Sequence, residues 1–267
     1  MDMKYSLAHK DLQEVFNFPT DKFSNCSIDN IESYRQVVSG PAYKDFTPRT
    51  NKGIKKDNIQ LVLDWLAEEI FKYIHEECAD FDDWHKKTCV AFCDKMEQCY
   101  GKILYGKAQK IVNMSFKYLF CFDDSQKYSA KFDKCHMALD QYTLEWFIRF
   151  VLTQEDLKHI SISKIRETSW SKLACGDKNE EYSYWWIQEK IRDYIKKGCA
   201  VYKTEEETCL SPFLAEFYIW SEMQMHLAME ALYARGGKDK DFKKEHIPSK
   251  ILKMEEFLSE LKKQYNA

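Results

Sequence analysis

Apolar residues recur at three- and four-residue steps along most of this chain, the spacing of α-helices with one buried face. Asp57 or Asn58 caps the first strong helix, which runs to about Cys78 with Ile59, Val62, Leu63, Leu66, Ile70 and Ile74 as its stripe. A second helix is predicted over about Asp82–Leu104, striped by Trp84, Thr88, Phe92, Met96, Cys99 and Ile103. The third starts at Lys107, where Ala108, Ile111, Val112, Ser115, Phe116 and Leu119 fall on one face. A polar insert, Asp123–Lys134, precedes a further helix over Gln141–Leu152. Ile160 and Ile162 alternate with serines and read as a short strand or a loop. Glu181–Lys197 is helical with Gly198 beyond its end, and Ser211-Pro212 opens a helix to Arg235 that Gly236-Gly237 closes. Residues 1–56 carry Pro19, Pro41 and Pro48 and read as an irregular segment packed on the body, with short helical pieces near Leu7–Phe16 and Ile28–Val38. After a charged loop, Lys238–Glu245, Ser249 caps a last helix over 249–266, whose Ile251, Met254, Leu258, Leu261 and Tyr265 form a coiled-coil-like seam.

Composition sharpens this to an all-α fold. The chain has 267 residues, 45% of them hydrophobic, enough for a sizeable core. It has eight glycines and five prolines, where average usage gives about 19 and 13. Such a sequence favours helices with short connections over a sandwich or barrel. The expected architecture is a single large helical globule over 57–267, or two helical lobes with a cleft. No 18-residue apolar run and no apolar leader occur, so no membrane contact and a cytoplasmic location are expected. Ten cysteines without a C-x-x-C then read as reduced, mostly buried thiols.

The net charge of −3 means that any nucleic-acid contact must rely on a local patch. One exists: Gly101–Cys135 holds seven lysines against three aspartates. Opposite the apolar stripe of the third helix stand Lys107, Lys110, Asn113 and Lys117, which the spacing places on a solvated face. Gly101 and Gly106 precede this helix, where a glycine turn and unpaired helix amides make a natural phosphate site. Asp140 stands alone among Met137, Ala138, Leu139, Tyr142, Leu144 and Trp146. Desolvation raises the pKa of such a carboxylate and a nearby lysine or N–H lowers it, which marks a candidate general base or electrostatic stabiliser. It is equally the natural N-cap of the helix that follows.

This combination, a glycine turn opening a lysine-bearing helix and then an apolar strip ending in Asp before a new helix, resembles the helix-hairpin-helix DNA glycosylase superfamily. The resemblance covers roughly residues 101–146. It matches Leu104–Val112 to the hairpin's turn and second helix, and Leu139–Thr143 to the catalytic strip. It implies DNA as partner, with Gly106, Lys107, Lys110, Asn113 and Lys117 gripping the backbone. Asp140 would support departure of a modified or mismatched base, and Lys107 or Lys110 would be the lysine nucleophile of a bifunctional member. A flipped base would lie among aromatics such as Trp146, Trp170, Trp185 and Trp186. No four-cysteine loop follows, and no cofactor is implied.

Metal chemistry is disfavoured. His85, Cys89 and Cys93 share a helix face but span about 12 Å along it, too far for one ion. Glu222, His226 and Glu230 repeat that spacing. Walker A, G-x-G-x-x-G, G-x-S-x-G and H-E-x-x-H motifs are absent. The other reading is a non-catalytic helical interaction protein, part of a host or phage-defence assembly, with the 249–266 seam as its partner contact.

Overall fold

Helices α1 (His9–Phe16), α2 (Thr20–Phe23), α3 (Ile31–Val37) and α4 (Tyr43–Phe46) open the computed structural model, which describes residues 9–46, 56–76, 80–197 and 211–236. The long helices follow: α5 (Lys56–His75), α6 (Phe81–Cys99) and α7 (Tyr105–Phe120). Then come α8 (Ser129–Phe132), α9 (Gln141–Trp146), α10 (Ile162–Thr168), α11 (Tyr184–Lys196) and α12 (Pro212–Gly236). Among the described residues there is no strand, so the fold is all-α. None of the described helices is long and apolar enough to cross a membrane.

The element borders follow local chemistry. Asp80 caps α6, its carboxylate accepting from the Asp82 amide at 2.7 Å. That helix stops at Cys99 instead of continuing to Leu104. Gly101 adopts φ +132°, a conformation open to glycine alone among common residues, and Leu104 is extended. The next helix therefore starts at Tyr105, and Gly106 lies inside its first turn instead of ahead of it. The chain passes through Ser39-Gly40-Pro41 as a π-helical turn over Val38–Ala42. A second π turn, Phe147–Val151, extends α9. The Ile160–Ile162 alternation is not a strand. Ser161 caps α10, accepting from the Lys164 amide, and Ile162 and Ile165 point to one helical face. Ser211 caps α12 as its sequence implies, accepting from the Leu214 amide at 3.3 Å. The predicted 249–266 helix and its partner contact lie outside the described residues.

α7 is the axis of the core. α6, α4, the first π turn and the Trp170–Lys172 turn all pack against it, while α5 packs on α3 and α6. α12 lies across α9 and α1. Aromatic edges fill the centre, with Phe116 meeting Tyr73, Phe81 and Trp84 nearly at right angles.

Candidate functional site

The lysine face of α7 is not solvated. Lys110 is 5% exposed, and Asn113 and Lys117 are each 1% exposed. Around Lys110 and Asn113 the cause is the irregular strip Cys135–Leu139, which runs beside this face with its backbone polar groups buried. Such groups need partners, and α7 supplies them. The Gln109 amide clasps the Leu139 peptide, donating to its carbonyl at 2.8 Å and accepting from its N–H at 3.1 Å. Gln188, on α11, donates to the Met137 carbonyl at 2.7 Å. Asn113 donates to Gln109 Oε1 and to the Tyr184 hydroxyl, both at 3.0 Å, and its Oδ1 lies 3.0 Å from His85 Nε2. Gln109 carries much of this arrangement and went unnoticed in the sequence. Its signal was an amide one turn before Asn113 on a helix with apolar residues on its other side.

Asp140 ends the strip and caps α9. Its Oδ1 accepts from the amides of Tyr142 (2.9 Å) and Thr143 (3.1 Å), and the Thr143 hydroxyl accepts from the Asp140 amide at 2.8 Å, completing a capping box. Its Oδ2 accepts from Lys110 Nζ and from the Trp220 indole N–H, both at 2.8 Å. Burial opposes ionisation, but Lys110, the Thr143 amide and Trp220 outweigh it and hold the carboxyl below the usual carboxylate range. Lys110 shows the mirror result. Burial draws its pKa down, the carboxylates of Asp140 and Glu216 draw it up more strongly, and it remains an ammonium.

Two turns along α7 from Lys110, Lys117 meets Glu216 of α12 at 2.6 Å in the same buried layer. Lys117 lies 4.6 Å from the ring centres of both Phe16 and Phe217. Burial draws this lysine down and Glu216 up, each toward its neutral form. Asp45 closes the layer, accepting from the Tyr118 hydroxyl at 3.1 Å, and burial lifts its carboxyl. Glu216 was the missing half of the pattern, a lone carboxylate in the apolar run of α12.

Gly106 also serves a purpose other than the expected one. Its N–H donates to the Leu173 carbonyl at 2.9 Å, and a Cβ there would fall 1.9 Å from the Trp170 carbonyl oxygen. The glycine permits two backbones to touch. The next amide, of Lys107, is taken by the Leu104 carbonyl at 2.9 Å. Of the five residues expected to grip a phosphate backbone, Lys107 alone keeps part of its side chain in solvent; Gly106, Lys110, Asn113 and Lys117 are buried.

Beside the Asp140 cap opens a cleft of about 770 Å³. Gln141, Tyr142, Leu144, Glu145 and Ile148 form one wall, Ile165, Arg166 and Trp170 a second, and Gln224, Met225 and Leu227 a third. Arg166 is held by Glu145 through Nε (3.1 Å) and a terminal nitrogen (2.8 Å). Glu145 also accepts from Arg149 Nε at 2.8 Å. Of the four candidate tryptophans, Trp170 lines this cleft. Trp146 packs edge-on to Tyr194, Trp186 to Phe147, and Trp185 to His136.

Elsewhere, His85 stacks on Tyr184, and its Nδ1 lies 3.1 Å from the Tyr105 hydroxyl. His136 Nε2 lies 2.9 Å from Asp82 Oδ1 and 2.7 Å from an Arg192 nitrogen. Burial carries the His136 pKa down to about 4. Among the described residues no group of three His, Cys, Asp or Glu side chains is placed to hold a metal ion, and the seven described cysteines are free thiols. No protein-family model matches the chain, and no curated protein or solved structure shows significant similarity to it.

Proposed function

We propose that this chain is a DNA-binding, DNA glycosylase-like protein that takes an unstacked, modified or mismatched base into the cleft beside Asp140. The observation that carries this reading is the lining of the cleft, which begins at the first two residues of the Asp140-capped helix and includes Trp170 opposite. Tyr142 and Trp170 offer ring faces on which a base stacks. Gln141, Gln224 and Arg166 offer donors and acceptors to its edge. The volume lies within the range of about 300–1,000 Å³ typical of small-ligand sites.

In this reading the bond from the base nitrogen to C1′ of the sugar breaks, water adds to C1′, and the base leaves with a proton. Asp140 acts as a fixed anion facing the positive charge that develops on the sugar. Its oxygens already accept from four protein donors, so its part is electrostatic and not proton abstraction. Lys110, held as an ammonium by Asp140, is no nucleophile; Lys107 is the candidate amine that solvent reaches.

Single-turnover release of the base from duplexes carrying modified or mismatched bases tests this. Asp140→Asn is expected to slow release about 100-fold or more while paired-duplex binding persists. Release at the wild-type rate removes Asp140 from the mechanism. The saturation of the Asp140 oxygens favours a second reading, binding without hydrolysis. Under it an unpaired base raises affinity through Trp170, and wild type releases no base.

A further inference from the structure

Resting on the cleft as the base site, we infer that the sugar–phosphate backbone of DNA crosses a rim of three lysines, Lys102, Lys107 and Lys172, and not the amides or buried lysines of α7. Two features of the chain exclude the usual anion contact at this helix start. The Gly106 and Lys107 amides donate to the Leu173 and Leu104 carbonyls, and Lys110 and Lys117 hold buried carboxylates. Neither those two amides nor those two buried ammonium groups are open to a phosphate.

The bond that occupies Gly106 also builds the alternative. It draws the Trp170–Lys172 turn against the first turn of α7. Lys102 stands in the connection before α7, Lys107 in its first turn, and Lys172 at the end of the turn docked on it. Lys102 and Lys172 are exposed and Lys107 is half-buried. None of the three reaches a carboxylate among the described residues. Lys72, Lys127, Lys158 and Lys190, by contrast, each hold one. An unpaired ammonium replaces a phosphate's counterion without first breaking an internal bond. In a chain of net charge −3, such a cluster is the kind of local patch that attracts a polyanion.

Trp170 joins the rim to the cleft. Its side chain lines the cleft and its carbonyl abuts Gly106. A backbone lying on the three lysines therefore runs beside Trp170, which belongs to the cleft as well.

The test is the salt dependence of binding by the full chain to a fully paired duplex, which does not use the cleft. Each lost phosphate contact lowers the slope of log K against log salt by about 0.9. The variant carrying Lys102→Gln, Lys107→Gln and Lys172→Gln is expected to show a slope shallower by about 2.7, with weaker binding to every sequence. Lys10→Gln is the control. It follows His9, whose ring contacts the last residue of α7, so it lies at the far end of that helix, and its slope should match wild type. Thermal unfolding confirms that each variant is folded. A wild-type slope in the triple variant overturns the rim. The preference for a duplex with one unpaired base over the paired one, and its loss in Trp170→Ala, reports on the cleft separately. A fallen slope without that preference leaves the rim standing and the base site refuted. An unchanged slope with the preference does the reverse, and no duplex binding at the lowest salt refutes both.

Discussion

Asp140 shows how far a single residue can be read before its surroundings are known. Its place before Gln141 identified it as a helix cap, and the capping box with Thr143 matches that reading. Nothing in the sequence places Trp220 or Lys110 on its other oxygen, because those contacts depend on how α12 and α7 cross the strip. The difference sets a graded expectation. Asp140→Ala removes a cap worth about 1 kcal/mol and leaves the Lys110 ammonium buried without its partner, a loss of about 3–5 kcal/mol. Asp140→Asn keeps an oxygen for the helix amides and should be less damaging. Urea unfolding should rank wild type, Asn and Ala in falling stability. Equal stability of the two variants would show that the cap contributes nothing beyond the Lys110 pair, which both of them lose.

At the scale of elements, the apolar stripe of α7 was legible and its other face was misread. Periodicity reports what a helix carries, not what lies against it. Lysine and asparagine at solvent-like spacing are also what a helix needs when an irregular strip and a lone carboxylate, Glu216, pack there. Two predictions belong here. Alanine inside a helix usually stabilises by about 1 kcal/mol over glycine, but at Gly106 the added Cβ meets the Trp170 carbonyl oxygen. Gly106→Ala should therefore lower the melting temperature and, by displacing Trp170, weaken whatever the cleft binds. A raised melting temperature would show that the turn yields freely. The second concerns α7 and α12. Lys117→Met alone, or Glu216→Leu alone, leaves one buried charge and should cost about 3–5 kcal/mol. The double variant replaces both with apolar groups and should recover most of the loss, which a double-mutant cycle of unfolding free energies measures.

For the molecule as a whole, the sequence carried the all-α class and most helix positions. The cleft escaped it, because its walls come from α9, α10 and α12, which no local pattern relates. Acid sensitivity is another property of the assembled core. His136 has a folded pKa of about 4 against about 6.5 unfolded. Between those values the unfolded chain binds more protons, so stability rises with pH through that window and is complete above it. His85, also held neutral by burial, acts in the same direction. His136 alone should remove about 3 kcal/mol between pH 7 and pH 4, and His136→Gln should flatten that dependence in part; a profile as steep as wild type would exclude it as the source. The buried charge layer of Lys110, Asp140, Lys117 and Glu216 reaches beyond the folding of one molecule. Each pair tolerates apolar replacement of both members far better than of one, so a lineage drifting by single steps must cross a poorly folded ancestor to leave it. Descendants are therefore expected to keep each pair whole or to have exchanged both partners together, which makes these positions the ones at which distant kin of this chain would first be recognised.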